Sequence, residues 1–223
     1  MHSLFIYGAG GFGRETLEIV REINAAQKKW NQVYFIDDFA SNRIVNGVEV
    51  VDFMFFKEYK YVHTATSVII ATGDPRSRKS IMDKLRTADL DVYLPTVISP
   101  QARVSSSSLI GPGSIICAGV HISVNVQIDT NCVVNCHSIV GHDVRIMADT
   151  VISSQVNLGG NVKISSGVFV GMGSLVREGV ELGAEAIIGM ASAVHSNIPT
   201  GVLAVGNPAR PIRKVEQIKL YNN

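Results

Sequence analysis

Ile98, Val104, Ile110, Ile116, Ile122, Ile128, Val134, Val140, Ile146, Ile152, Leu158, Ile164, Val170, Val176, Leu182, Ile188 and Val194 stand six residues apart, and all seventeen are aliphatic. Two places before them the side chains are small or Val, as at Ala102, Ser108, Ser114, Val120, Cys132, Ser138, Val162, Ser174, Ala186 and Ser192. Gly follows the aliphatic residue at Gly111, Gly141, Gly159, Gly171, Gly183 and Gly189. An unbroken hexapeptide period is the signature of a parallel β-helix. Each unit makes one short strand and one turn. The aliphatic side chain points inward, the small residue fits a corner, and Gly is expected to supply the turn geometry. Three units close one triangular coil, and stacked coils pair like a parallel sheet at roughly 4.8 Å per coil. The stretch therefore predicts a prism of between five and six coils, about 25 Å tall on that spacing.

Outside this stretch the composition is restrictive. The chain has 223 residues, with 20 Lys and Arg against 19 Asp and Glu. That balance argues against a nucleic-acid partner held by bulk charge and against a polybasic membrane surface. No apolar run reaches the length of a membrane span. The N-terminus lacks the charged region and cleavage site of a signal peptide, so a cytoplasmic protein is expected. Cys117, Cys132 and Cys136 are an odd, sparse set that reads as reduced thiols. Cys132 and Cys136 are too loosely spaced for a metal pair without a second pair, and no metal is expected.

Residues 1–95 carry a different pattern. Residues 4–7 form an apolar run that leads into Gly8-Ala9-Gly10-Gly11-Phe12-Gly13. Leu17, Val20 and Ile23 then fall near helical spacing. Strand, Gly turn and helix is the context that a G-x-G-x-x-G pattern requires for phosphate binding. A second run at 33–36 ends in Asp37-Asp38, where acidic residues can hold ribose hydroxyls or a base edge. A third, at 67–71, ends in Thr72-Gly73-Asp74-Pro75 before an expected helix over 76–86. Residues 91–94 suggest a last strand and residues 47–51 an edge hairpin. The unit reads as a Rossmann-like βαβαβ domain with room for one nucleotide, since a full dinucleotide fold uses two such halves. The alternative is that the glycines only permit close helix–strand packing.

The domain layout expected is therefore 1–95 Rossmann-like, 96–200 β-helix, and 201–223 a C-terminal tail. Among the six histidines, His142 stands out. It occupies a turn position two after Val140, not an interior one, and Asp143 follows it. A histidine base needs an orienting acceptor to fix its tautomer, and Asp143 is placed to serve. The alternative is a solvated turn histidine beside a solvated aspartate.

Together with Gly8–Gly13, the segments Ile70-Ala71-Thr72-Gly73-Asp74, Val140-Gly141-His142-Asp143, Leu158-Gly159-Gly160-Asn161-Val162 and Val205-Gly206-Asn207-Pro208-Ala209-Arg210 resemble one family over nearly the whole chain. It is the hexapeptide-repeat acyltransferases that act on nucleotide-linked sugars, such as the sialic acid O-acetyltransferases and bacillosamine-pathway N-acetyltransferases. The resemblance implies a left-handed β-helix, a hand that departs from the usual crossover rule. It implies an N-acetyltransferase of surface-glycan biosynthesis, with acetyl-CoA as co-substrate and His142 as general base partnered by Asp143. It places a nucleotide-linked amino sugar at Gly10, Gly11, Phe12, Asp37, Asp38, Thr72, Gly73 and Asp74. It places CoA between subunits of a homotrimer, against Gly160 and the turn at Met190; Pro208 and the cations from Arg210 to Lys214 are candidates for the CoA phosphates, with a solvated tail as the alternative. Val151 stands where family members often carry a second histidine near the thioester. Sugar O-acetylation and a non-catalytic nucleotide-binding scaffold are the alternatives. Cys136 has no activating partner evident in the sequence, which disfavours a covalent acyl-enzyme.

Overall fold

The structure, a computed structural model, describes residues 2–39 and 43–217. In the N-terminal domain, strands β1 (Ser3–Tyr7), β2 (Gln32–Ile36), β3 (Arg43–Val45), β4 (Val48–Val51) and β5 (Thr66–Ile70) form a sheet in the order β3-β4-β2-β1-β5. All pairings are parallel except the β3–β4 hairpin, the edge hairpin expected around residue 47. β1 and the edge strand β5 are buried along their whole length, as parallel strands covered on both faces are. Alternation in β1 divides the core. Leu4 and Ile6 pack with Leu17 and Val20 of helix α1 (Gly11–Gln27). Phe5 and Tyr7 pack with Phe53 and Phe56 of α2 (Phe53–Val62) and Met82 and Leu85 of α3 (Pro75–Thr87). Sequence patterning did not anticipate α2. Its signal was Asp52, whose side chain caps the helix by accepting from the Phe55 amide at 2.7 Å. Of the last expected strand, only Tyr93 pairs, in an isolated bridge to Ser67.

From Val97–Ile98 (β6) to Ala193–Val194 (β22) the chain makes two-residue strands every six residues. They form a left-handed parallel β-helix with three faces. Face 1 carries the strands at 97–98, 115–116, 133–134, 151–152, 169–170 and 187–188; face 2 begins at 103–104 and face 3 at 109–110. Each pairing joins residues one coil apart, such as Val133 with Val151 and His121 with Ile139. The hexad aliphatics fill the interior; Ile116, Val134, Ile152, Val170 and Ile188 are wholly buried. Each such burial is worth about 1.5–3 kcal/mol.

The corners differ from expectation in an informative way. The left-handed backbone position is not the glycine after the aliphatic residue. It falls three places after, without a break from Gly113 to Ala191, and includes Asn125, Asn131, His137, Asp143 and Asn161. The glycines that follow the aliphatic residue are required by close approach instead. A Cβ on Gly141 would lie 2.8 Å from the backbone of Gly159 and Gly160, one coil on. The small residue two places before the aliphatic one is also a hydrogen-bonding post. Ser114 Oγ donates to Asp129 O (2.9 Å) and accepts from Cys132 N (3.0 Å), and Ser138 repeats this with Ser153 O and Val156 N.

The N-terminal domain docks on face 1, which explains why the outward side chains Val97, Ile115, Val133 and Val151 are buried. Gln101 donates to Glu22 of α1 at 2.9 Å, and Arg78 of α3 donates to Asn131 O at 2.9 Å. Residues after 200 extend the same sheet. β23 (Val202–Gly206) pairs parallel with the 187–188 strand and antiparallel with β24 (Ala209–Lys214), and Arg76 Nη2 ties Val215 O at 2.9 Å. Residues 218–223 of the expected tail lie outside the described residues.

Candidate functional site

At the carboxyl ends of β1, β2 and β5 lies a cleft of about 920 Å³. Gly10, Gly11, Phe12, Asp37, Asp38, Thr72, Gly73 and Asp74 all line it, brought together from three separate loops. Tyr7, Arg76, Ser77, Ser80 and Lys84 also line it, and sequence patterning missed them. Ser77, Ser80 and Lys84 recur at helical spacing on α3, but nothing local says which way that helix faces.

The glycines of the first turn separate into two kinds. Gly8 has φ +113, and a Cβ there would lie 2.8 Å from Ala71 O; a Cβ on Gly13 would overlap Gly8 O. Close packing therefore accounts for Gly8 and Gly13. A Cβ on Gly10 or Gly11 would meet nothing within 4 Å. These two border open space at the start of α1, where unpaired helix amides favour an anion.

The carboxylates shape this cleft before any ligand arrives. Asp37 accepts from Ala9 N (3.3 Å) and Phe39 N (3.1 Å), and Asp74 caps α3 through Arg76 N and Ser77 Oγ, both 3.1 Å. Asp38 accepts from Phe53 N at 2.8 Å and from Lys84 Nζ at 2.6 Å. Burial alone would raise the Asp38 carboxyl, but hydrogen bonds from Lys84 and the Phe53 amide outweigh it and hold it below the ordinary range. Burial would likewise lower Lys84; its bonds to Asp38 and Tyr7 leave it raised instead. Lys84 Nζ also donates to Tyr7 Oη at 2.9 Å and lies 4.0 Å from the Phe53 ring centroid. Each carboxylate keeps lone pairs for a ligand. Thr72 Oγ1 is buried without a hydrogen-bond partner.

His142 lies across the prism from this cleft, at the edge between faces 2 and 3. Its Nδ1 is 2.9 Å from Asp143 Oδ2, and its side chain is 51% exposed. Asp143 takes the left-handed corner conformation (φ 58), which Asp tolerates. One coil back, Asn125 Nδ2 donates to Asp143 Oδ1 at 3.2 Å. The Asp143 carboxyl is held below its usual range by the His142 and Asn125 hydrogen bonds. One coil on, Gly160 gives the imidazole its room. A Cβ on Gly160 would lie 2.5 Å from His142 Nε2 and 3.0 Å from Nδ1. With Nδ1 turned to Asp143, Nε2 is the other ring nitrogen, and it lies over Gly160.

The other residues expected at CoA divide between places. Gly160 shares the His142 edge. Met190 is exposed on the opposite edge of face 2, where the β23–β24 hairpin arrives through Gly206 N to Ser192 Oγ at 3.2 Å. Pro208 and Arg210 are exposed at and just beyond the hairpin tip. Val151 is 2% exposed on face 1, where it pairs with Val133 and Phe169 on the neighbouring coils. Outward positions of a strand are solvated only where nothing docks, and the hexad pattern is silent on docking.

The thiols also depart from expectation. Cys136 does have a polar partner, Cys117, whose hydrogen bond lowers the Cys136 thiol to about 6 while Cys117 itself is raised. Cys136 lies on the edge between faces 1 and 2, away from His142. Burial raises Cys132 to about 12. Among the described residues no group of three or more His, Cys, Asp and Glu is arranged to hold a metal ion, and no helix is long and apolar enough to cross a membrane.

Comparison with known proteins agrees with this architecture. Residues 3–85 match the PglD N-terminal domain. GDP-perosamine N-acetyltransferase of Escherichia coli is 32% identical over 215 residues, covering 94% of this chain and 96% of that protein. The acetyltransferase domain of PglB from Neisseria gonorrhoeae superimposes with a TM-score of 0.87 at 28% identity, over 95% of this chain and 100% of that one. A histidine-to-asparagine variant of perosamine N-acetyltransferase from Caulobacter crescentus, solved with CoA and GDP-perosamine, gives 0.86 at 29% identity, over 96% and 98%. Likeness along the whole length, through both the cleft-bearing domain and the prism, makes the chain an acyltransferase of the PglD-type nucleotide-sugar acetyltransferase family.

Proposed function

We propose that the protein transfers the acetyl group of acetyl-CoA to the amine of a nucleotide-linked amino-deoxy sugar, in the cytoplasm, during surface-glycan biosynthesis. The observation that carries this reading is the exposed His142–Asp143 pair, with Gly160 leaving space over the ring. The nucleotide sits in the cleft, its diphosphate toward the amides at Gly10 and Gly11 and its nucleoside toward Asp37 and Asp38. The sugar's neutral amine attacks the thioester carbonyl. As the tetrahedral intermediate forms, the nitrogen gains positive charge and His142 Nε2 removes its proton. Collapse expels the CoA thiolate, which takes a proton in turn. Such general-base assistance is worth about 10²–10⁴-fold. The relative solved with both CoA and GDP-perosamine supports a ternary complex and a direct transfer.

The working unit in this reading is a homotrimer. Face 1 is covered by the N-terminal domain, and face 3 carries Arg145, Lys163 and Glu181, the last two paired at 2.8 Å. Face 2 presents Ile139 and Leu175, 48% and 53% exposed. A face that sets these apolar residues among Arg103, His121 and Asn157, flanked by the His142 edge on one side and the Met190 edge on the other, suits a second copy. CoA would then lie between the His142–Gly160 edge of one subunit and the Met190–Arg210 edge of the next.

The test is turnover of acetyl-CoA with GDP-, UDP- and dTDP-linked amino sugars, followed by CoA release and by the mass of the product. Acetylation of hydroxyl sugars but not amino sugars would select O-transfer. No turnover and no CoA binding would leave a nucleotide-binding scaffold.

A further inference from the structure

Arg78 is the largest fully buried side chain among the described residues, and the chemistry above does not use it. Its donors divide between the two domains. On the prism side, Nε donates to Asn131 O (2.9 Å), and Nη2 donates to Asn131 Oδ1 (2.7 Å) and Gly113 O (3.5 Å). On the cleft side, Nη1 donates to Ile70 O (2.6 Å) and Thr72 O (3.1 Å). Asn131 is itself oriented, because its Nδ2 donates to Asp149 Oδ1 at 2.7 Å. A relay thus runs from Asp149 through Asn131 and Arg78 to the backbone of Thr72, a residue that lines the cleft and whose buried hydroxyl has no hydrogen-bond partner.

A buried cation paired only with amide and carbonyl dipoles is a costly way to join two domains. Apolar residues would join them more cheaply. What the guanidinium adds is geometry, since its planar fork fixes the distance and the angle between the segments it bridges. We propose that Arg78, oriented by Asn131, is a positioning residue for acetyl transfer: it locks the Thr72–Asp74 floor of the nucleotide cleft to the prism corner at Gly113 and Asn131, so that a bound acceptor meets the thioester in one pose. This rests on the acetyltransferase reading and adds to it a determinant of turnover, not of affinity. Because CoA lies along the prism and the acceptor is held by the docked domain, the angle between them sets the attack geometry. A misplacement of about 1 Å can cost 10²-fold in rate.

The informative variant is Asn131→Gly. Its φ of 56 suits glycine, and the change removes the Oδ1 acceptor and the Asp149 link while leaving the backbone acceptor. The expected result is kcat reduced about tenfold, with KM for both substrates and Kd for the nucleoside diphosphate within twofold of the parent. Arg78→Lys keeps the charge but cannot bridge both sides, and should lose about 100-fold in kcat if it folds. Ile164→Val, a prism-interior change that removes no hydrogen bond of the relay, controls for destabilisation alone and should leave kcat unchanged. Asn131→Gly with kcat within twofold of the parent overturns the proposal. So does a kcat loss matched by Ile164→Val at equal loss of Tm, or a weakening of nucleotide binding by the same factor as kcat.

Parent turnover is measured first, and its absence would count against the acetyltransferase reading itself. The relay is then decided by hydrogen exchange. Nucleoside diphosphate should slow exchange of amides around Asn131 in the parent and not in Asn131→Gly; no slowing in the parent overturns the relay.

Discussion

Gly160 lies one coil beyond His142, at the place where a Cβ would overlap the imidazole. The glycine is thus part of the geometry that seats the base. Its backbone is outside the left-handed region, so alanine is tolerated by the chain and refused only by the ring. Gly160→Ala should swing His142 away from Asp143 into solvent. We expect kcat/KM to fall toward the level of His142→Ala, about 10²–10⁴-fold, with Tm unchanged. Steady-state kinetics beside a thermal melt would check this; wild-type activity in Gly160→Ala would show that the ring position is immaterial.

Asp38 and Lys84 make the second prediction, with a defined pH sign. Asp38 is depressed in the folded state, so its contribution is present above the unfolded carboxyl range and lost as pH falls through its folded value. Lys84 is raised, so its contribution holds at lower pH and is lost as pH climbs through its folded value. The pair is over a third exposed, and Lys84→Met should cost only about 0.2–1 kcal/mol near neutrality. Urea titrations of parent and variant should converge at the acid end, once Asp38 is protonated. Nucleotide affinity should fall as well, because Lys84 lines the cleft.

Cys136 should be the thiol that alkylates first. Its value of about 6 makes it largely thiolate at neutral pH, whereas Cys132 is buried and raised to about 12. The rate of iodoacetamide labelling should reach half its maximum near pH 6, by peptide mass spectrometry. Cys117→Ala removes the donor and should move that midpoint upward; an unmoved midpoint would exclude Cys117 as the cause.

If the protein is the proposed homotrimer, mixing variants tests where the site is assembled. His142→Ala and a cleft-blocking Gly11→Trp are each expected to be inactive alone. Unfolding and refolding them together should restore part of the activity if the cleft of one copy serves the His142 of another. A mixture that stays dead means that each chain completes its own site, despite the prism between the two halves.

Much of this was written in the period of six. Because each coil returns after eighteen residues, the stacking of Asn125 under Asp143 and of Gly160 over His142 can be counted off the chain. Strand, turn and helix in the first domain were equally legible, and the eight residues at the ends of its strands do meet in one cleft. The glycines were legible as glycines but not as to purpose. Gly8 and Gly13 serve packing, Gly10 and Gly11 border open space, and Gly141 yields to the coil above it.

What the linear order alone determined about this protein is the prism, its register and the dyad at one corner, because a backbone that repeats every six residues makes each contact local in a known step. Tertiary structure decided the rest. It chose the face on which the first domain docks, where Val151 is buried. It set Lys84 against Asp38 and Arg78 between the cleft and Asn131. Those are side-chain contacts between segments joined by no period. They form only once the chain has folded and every buried donor must find an acceptor.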